Sequence, residues 1–200
     1  VSRILLVRHG QSTWNAAGRW QGRADPPLSP LGERQAGSAA TAATVNAVTD
    51  VWASPLERAR RTAEVVAEAL GNPSVRIEER LVERDAGEWT GLTRDEIEAG
   101  WPGYLADRRR PPAFEADDEL TSRALEVLHE IAAHAAGATV LAVSHSGLIR
   151  SIEHALGAES PPVPNLGGRE LVGSSGGLVL GERLLLVDPD AVSVTAPGQL

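Results

Sequence analysis

The chain has 200 residues, 42% of them hydrophobic and 23% charged, which suits one soluble globular domain and excludes wholesale disorder. It has no cysteine, and every basic residue is arginine, so a disulfide scaffold, a thiolate metal site, a cysteine nucleophile and a Schiff-base or P-loop lysine are all excluded. The net charge of −8, from 19 basic and 27 acidic residues, argues against nucleic acid or a membrane surface as partner, but a few arginines in a cleft can still hold a small anion.

In chain order, Ile4 to Val7 is a short branched apolar run of the kind that forms a buried strand, and it stops at Arg8-His9-Gly10. Residues 16–30 read as a loop, and Ser29-Pro30 as a helix cap followed by proline at the first helical position, opening an alanine-rich helix from Leu31 to about Thr44. Asp50 to Ala53 reads as a strand. Ser54-Pro55-Leu56-Glu57 reads as a capping box for a helix to about Leu70, which Gly71 ends. A short strand is expected at Val75 to Ile77, a short helix near Thr93 to Ala99 and an amphipathic helix from Leu120 to Ala136. Thr139 to Val143 follows as a buried strand and Ser146 to Leu156 as a helix. Leu178 to Leu180 and Arg183 to Val187 flank Gly181-Glu182, a sequence that suits a two-residue hairpin turn. Alternating strands and helices predict an α/β fold with a mostly parallel central sheet and helices on both faces. The N-terminus lacks the charged-then-apolar order of a secretory leader, and no run approaches the ~20 apolar residues of a membrane span; with the absence of cysteine, a cytoplasmic protein is expected.

In such folds ligands bind beyond the carboxyl ends of the strands, which is where Arg8-His9 and Ser144-His145 fall. Two histidines and an arginine from different strands can thus meet in one crevice. Arginine offers a planar fork to phosphate oxygens, glycine lets backbone N–H groups approach, and neighbouring cations disfavour protonation of the imidazole. His129 and His134 lack the i, i+4 spacing of a zinc pair, and His154 reads as packing or surface, so no metal site is expected. Trp14 and Trp20 suit either the pocket mouth or anchors of their loop, and the role of the triplet Arg108-Arg109-Arg110 stays open.

The longer string Leu6-Val7-Arg8-His9-Gly10-Gln11-Ser12-Thr13-Trp14-Asn15 resembles the signature of the histidine phosphatase superfamily, also called the phosphoglycerate-mutase-like family. Further pieces follow in that family's order: Gln21-Gly22 with Asp25, Leu28-Ser29-Pro30-Leu31-Gly32, Ser54-Pro55-Leu56-Glu57-Arg58-Ala59-Arg60, Leu81-Val82-Glu83-Arg84 and Val143-Ser144-His145-Ser146-Gly147. The resemblance spans about residues 3–156 and is weaker across 100–136. It implies a three-layer α/β/α sandwich, one domain over 1–200 with a reduced cap at about 100–118, and metal-independent chemistry without a cofactor. It also implies roles. His9 takes the phosphoryl group, Arg8, Arg58 and His145 surround the phosphate oxygens, and Asn15, Gln21, Gly22 and Ser146 add binding contacts. Glu83 is the proton donor to the leaving oxygen and later the base for water. Chemistry agrees, because phosphoryl transfer needs positioning and charge stabilisation above all, and Arg58 falls in the first turn of a helix, where an anion is favoured. Adjacent helical residues differ by about 100°, so Arg60 and Arg61 point elsewhere, to a solvated face.

Three functions fit this resemblance. The first is a phosphatase releasing inorganic phosphate from a small phosphorylated metabolite, the second a cofactor-dependent phosphoglycerate mutase, and the third a silent phospho-ligand or protein-binding module. Silence is disfavoured because the nucleophile, both arginines, the second histidine and the acid are all present. Against the mutase, Ala86 stands where mutases carry tyrosine, Arg94 where they carry lysine, and Ser146-Gly147 replaces their Gly-Asn pair. The short stretch from Glu83 to His145 implies a small cap that shields an intermediate from water poorly, so the phosphatase is favoured. Phosphatase relatives carry Gly-Gly-Glu-Ser before the long helix, where this chain reads Phe114-Glu115-Ala116-Asp117, and the leaving group is therefore left open. Relatives include monomers and dimers, so either a monomer or a homodimer is expected.

Overall fold

The computed structural model describes residues 1–71, 74–174 and 176–195. Its sheet comprises β1 (Ser2–Arg8), β2 (Val48–Ala53), β3 (Arg76–Ile77), β4 (Thr139–Ser144), β5 (Gly167–Ser174) and β6 (Gly177–Leu185), in the order β3-β2-β4-β1-β5-β6. The first four in that order run parallel, β5 is antiparallel to β1, and β6 is antiparallel to β5. β1 is apolar from Ile4 to Val7 because it is covered on both faces there. Ile4 and Leu6 join Val140 and Ala142 against α5 (Asp117–Ala135) and α6 (Ser146–Ala155). Leu5 and Val7 join Leu141 and Val143 against α2 (Pro30–Val45) and α3 (Glu57–Ala69). The result is the expected three-layer α/β/α sandwich. The alanines of α2 and α3 let both helices approach the sheet closely: Ala39, Ala43, Ala59 and Ala63 are fully buried.

A third apolar cluster lies apart from these two layers. Trp20, Trp89 and Ile97 pack there with Trp101, Tyr104 and Phe114. It includes α4 (Arg94–Gly100), whose Thr93 and Glu96 form a reciprocal capping box, and it joins the 14–24 loop to the segment 86–114. α1 (Thr13–Ala16) is a single turn capped by Ser12. Among the described residues no helix is long and apolar enough to cross a membrane.

Two local expectations need correction. The Gly181-Glu182 pair is not a hairpin turn. The hairpin is formed by β5 and β6, whose adjoining ends Ser174 and Gly177 pair. Gly181 and Glu182 lie within β6, where the register passes from Arg169↔Arg183 to Leu171↔Leu180, so two residues oppose Glu170 in a β-bulge. Glycine suits the bulge because a Cβ at 181 would press on the side chain of Glu170, which Arg3 holds at 2.6 Å. The second correction is at Ser54, which does not cap α3. Leu56 is the N-cap and makes no side-chain capping bond; Asp25 Oδ1 accepts from the Glu57 N–H at 2.6 Å instead. Ser54 is thereby left for the site described next.

Candidate active site

The register of the parallel strands assembles the site. β1 pairs with β4 so that Arg8 lies beside Ser144, and β2 pairs with β4 so that Ala53 lies beside Val143. The next residue of each strand, His9, His145 or Ser54, then emerges at one end of the sheet. The His9 N–H donates to Ser144 O at 3.0 Å, and the rings of His9 and His145 stand edge to face, 5.2 Å apart. α3 follows directly after β2 and brings in Arg58 from its first turn.

His9 is almost wholly buried, with Nδ1 2.6 Å from Gly10 O. A carbonyl only accepts, so Nδ1 carries the proton and Nε2 presents a lone pair. That lone pair accepts from Arg58 Nε at 3.2 Å. Burial first, then the Arg58 and Arg8 charges, hold the His9 pKa well below the ordinary histidine value, so the ring is neutral at pH 7. Arg58 donates its other nitrogens to Ala24 O (2.7 Å) and Gly22 O (3.0 Å). Arg8 donates to Val163 O at 2.8 Å, and its Nε is buried with no hydrogen-bond partner among the described residues. Burial lowers both guanidinium pKa values to about 10, with Glu83 opposing the shift in each, and both stay cationic at neutral pH. His145 is fully buried, with Nε2 2.8 Å from Ser54 Oγ and Nδ1 without a hydrogen-bond partner among the described residues. Burial first, then Arg58, also holds its pKa well below the ordinary value.

Glu83 lies on the chain between a 3-10 turn at Glu79–Leu81 and the cluster around Trp89. Its Oε1 accepts from the Arg84 N–H (2.8 Å) and its Oε2 from the Gly147 N–H in the first turn of α6 (3.1 Å). A cavity of about 490 Å³ opens among these groups. Arg8, His9, Glu83, Gln21, Gly22 and Ser146 line it, and Trp20, Arg84, Ala86 and Phe114 complete its wall. Of the residues expected in the site, Arg58 and His145 are not in the lining but lie against His9, and Asn15 is not in it either. Asn15 is buried, its Oδ1 accepts from the Ser12 N–H at 3.1 Å, and Asn165 bridges from it (3.4 Å) to His9 O (2.9 Å).

Sequence reasoning missed a clamp beneath Glu83. The Arg123 guanidinium donates to Arg80 O (2.7 Å), Val82 O (2.8 Å) and Glu83 O (3.2 Å), and pairs in bidentate fashion with Glu115 (2.8 and 3.0 Å). Glu115 also accepts from the Asp85 N–H at 3.0 Å. The arginine triplet separates in the structure: Arg109 stacks 4.0 Å over Tyr104 and pairs with Asp107, whereas Arg110 lies 5.2 Å over Phe114, a residue of the cavity wall. Arg60 and Arg61 pair with Glu64 and Glu33 on the surface, as their helical positions predict. Trp20 belongs to both the cavity wall and the third cluster.

A sheet that presents two neutral histidines and two buried arginines at one end defines a class of protein that handles a small anion at its strand ends. Comparisons with known proteins narrow this class. Residues 4–168 match the family model of the histidine phosphatase superfamily (branch 1), and the chain belongs to that superfamily. A mycobacterial glucosyl-3-phosphoglycerate phosphatase, solved in complex with VO3, superposes with a TM-score of 0.82 at 30% identity, covering 91% of this chain and 98% of that one. A metal-independent phosphoserine phosphatase of Arabidopsis thaliana is 35% identical over 76% of this chain and 67% of its own. A probable phosphoglycerate mutase of Klebsiella pneumoniae is 39% identical over 72% of this chain and 69% of its own. Two of these three relatives are thus named as phosphatases of small phosphorylated metabolites and the third as a probable mutase.

Proposed function

We propose that the chain hydrolyses a small phosphomonoester in two transfers through His9 Nε2. One observation carries this reading: among the described residues Arg8 Nε and His145 Nδ1 are buried without partners, beside a neutral imidazole whose lone pair is on Nε2. Orphaned buried donors are costly, and phosphate oxygens would satisfy them. In the first transfer Nε2 bonds to phosphorus and the ester P–O bond breaks, while the Glu83 carboxyl gives its proton to the departing oxygen. The His9 ring keeps its Nδ1–H on Gly10 O throughout. Arg8, Arg58 and His145 stabilise the charge spread over the equatorial oxygens. In the second transfer water attacks phosphorus, Glu83 takes its proton, the P–N bond breaks and inorganic phosphate leaves. No step calls on a metal ion or a cofactor. Arg58 must release Nε2 before His9 can attack, so an entering anion exchanges that hydrogen bond for its own.

The cap is read as the segment about 100–118 of a single domain, with Phe114 and Ala86 shaping the leaving-group side of the cavity. We read the setting as the cytoplasm of a bacterium, from an arginine-, alanine- and glycine-rich composition that suggests a GC-rich genome. The mutase reading keeps one observation in its favour, the 39% identity to the probable mutase. Purified protein, with and without EDTA, should release phosphate from a panel of phosphometabolites, beside a 3-phosphoglycerate to 2-phosphoglycerate assay with bisphosphoglycerate. Phosphate release without isomerisation is the expected result. Rapid isomerisation would favour the mutase, and tight binding without turnover the silent module.

A further inference from the structure

Ser54 is fully buried at the end of β2, and no role in the reaction has been given to it. Its Oγ accepts from the Leu56 N–H at 3.3 Å and lies 2.8 Å from His145 Nε2. A hydroxyl has one proton to give, and among the described residues His145 Nε2 is the one acceptor in reach of this one. The His145 ring packs edge to face on His9, and its Nδ1 is buried with no partner among the described residues. A neutral imidazole carries a single proton, and the hydrogen bond at one nitrogen decides where it resides.

We infer that Ser54 is a positioning residue that donates to His145 Nε2 and so keeps the ring's only proton on Nδ1, aimed at the phosphate. The opposite arrangement has two faults. With the proton on Nε2, the Ser54 hydroxyl would lose its acceptor inside the core, a buried unpaired donor. Nδ1 would then present a lone pair to the phosphate oxygens, and an attractive contact would become a repulsive one. The inference rests on reading the cavity as a phosphate site for its consequence, though not for the location of the proton. Direct protonation by solvent offers no alternative route to an Nδ1–H at neutral pH, because burial and the charges of Arg58 and Arg8 keep the ring neutral.

The test is the tautomer itself, read by two-bond proton–nitrogen correlation on the ¹⁵N-histidine-labelled full chain. In the unmodified protein Nδ1 of His145 is expected to be protonated and Nε2 bare. In Ser54→Ala the proton is expected to move to Nε2, with kcat/KM and orthovanadate affinity falling on the order of 100-fold, the scale of one lost preorganised donor. Ser54→Thr, which keeps the hydroxyl, should restore the Nδ1–H signature and most of the rate. A proton on Nε2 in the unmodified protein would overturn the inference, and so would an Nδ1–H that persists in Ser54→Ala. Should Ser54→Ala fail to fold, the spectrum of the unmodified protein still decides. These outcomes do not depend on turnover, so failure of the tautomer assignment and failure of the phosphatase reading, scored by phosphate release, stay distinguishable.

Discussion

Gly147→Ala should separate the proton donor from the rest of the site. Gly147 lies in the first turn of α6, and a Cβ there would meet Glu83 Oε1 well inside van der Waals contact. What it meets is the end of a flexible, half-buried side chain rather than backbone, so the carboxylate yields. Restoring a contact of ~3.5 Å displaces it by roughly 1 Å. The cost to folding is small: alanine in a helix gains up to ~1 kcal/mol over glycine, and weakening one hydrogen bond to a charged group loses ~1.5–3 kcal/mol. A net loss of ~1 kcal/mol is therefore expected in denaturant melts. Catalysis is more sensitive, since a misplacement of ~1 Å costs on the order of 100-fold, or ~2.7 kcal/mol in the barrier. The loss should depend on the leaving group. kcat/KM reports the phosphorylation half-reaction, in which an alkoxide needs the Glu83 proton and a nitrophenolate does not. The variant should thus lose about 100-fold on alkyl phosphates and far less on p-nitrophenyl phosphate. Equal losses on both substrates, or full activity on alkyl phosphates, would refute the reasoning.

Other perturbations probe the support of the site. Arg123→Met takes the bidentate partner from Glu115, which keeps only Arg23 at 3.3 Å and the Asp85 N–H, and frees three carbonyls of the Glu83 segment, so a destabilisation of ~3 kcal/mol is expected in urea melts. Arg58→Met removes the donors to Gly22 O and Ala24 O, at ~1–3 kcal/mol for each buried acceptor left unpaired, and should lower kcat/KM by at least ~100-fold in the same preparation. His9 and His145 both titrate well below 6.5 in the folded chain, so the unfolded chain binds more protons as pH falls through 6.5. Their contribution to stability is complete above that pH and is lost below it, at up to ~1.4 kcal/mol per pH unit for each ring. Melts between pH 7 and pH 5 should show that slope and His145→Gln a shallower one, while kcat/KM stays flat through pH 6.5 because His9 is still neutral there.

The frame of the fold was legible because β1 and β4 are continuous apolar runs and the helices between them carry local start signals, such as Ser29-Pro30 and Thr93. Strand ends place ligands, so His9 and His145 were legible with them. Errors arose where local chemistry admits two uses. Ser54 has the spacing of a cap, yet its hydroxyl is taken by His145, 91 residues away. Gly181-Glu182 has the composition of a turn, but β5 begins Gly167-Gly168-Arg169-Glu170, a run without the apolar alternation that would have announced a strand, and the turn was therefore misplaced. Arg123 and Glu115 were invisible because their targets are main-chain carbonyls and an N–H group, which leave no mark in the sequence. Nothing in Arg108-Arg109-Arg110 could show that the second arginine stacks on Tyr104 and the third on Phe114.

Hydrolysis in two transfers requires a phosphoryl group carried on His9. Phosphohistidine is labile in acid and survives alkali, so turnover of a labelled phosphomonoester should be stopped with base and the chain digested and read by mass spectrometry. A phosphoryl group on the peptide bearing His9, formed and discharged at rates that support turnover and lost in His9→Ala together with the activity, is the predicted result. A bare His9 peptide throughout the steady state, or undiminished turnover by His9→Ala, would contradict it.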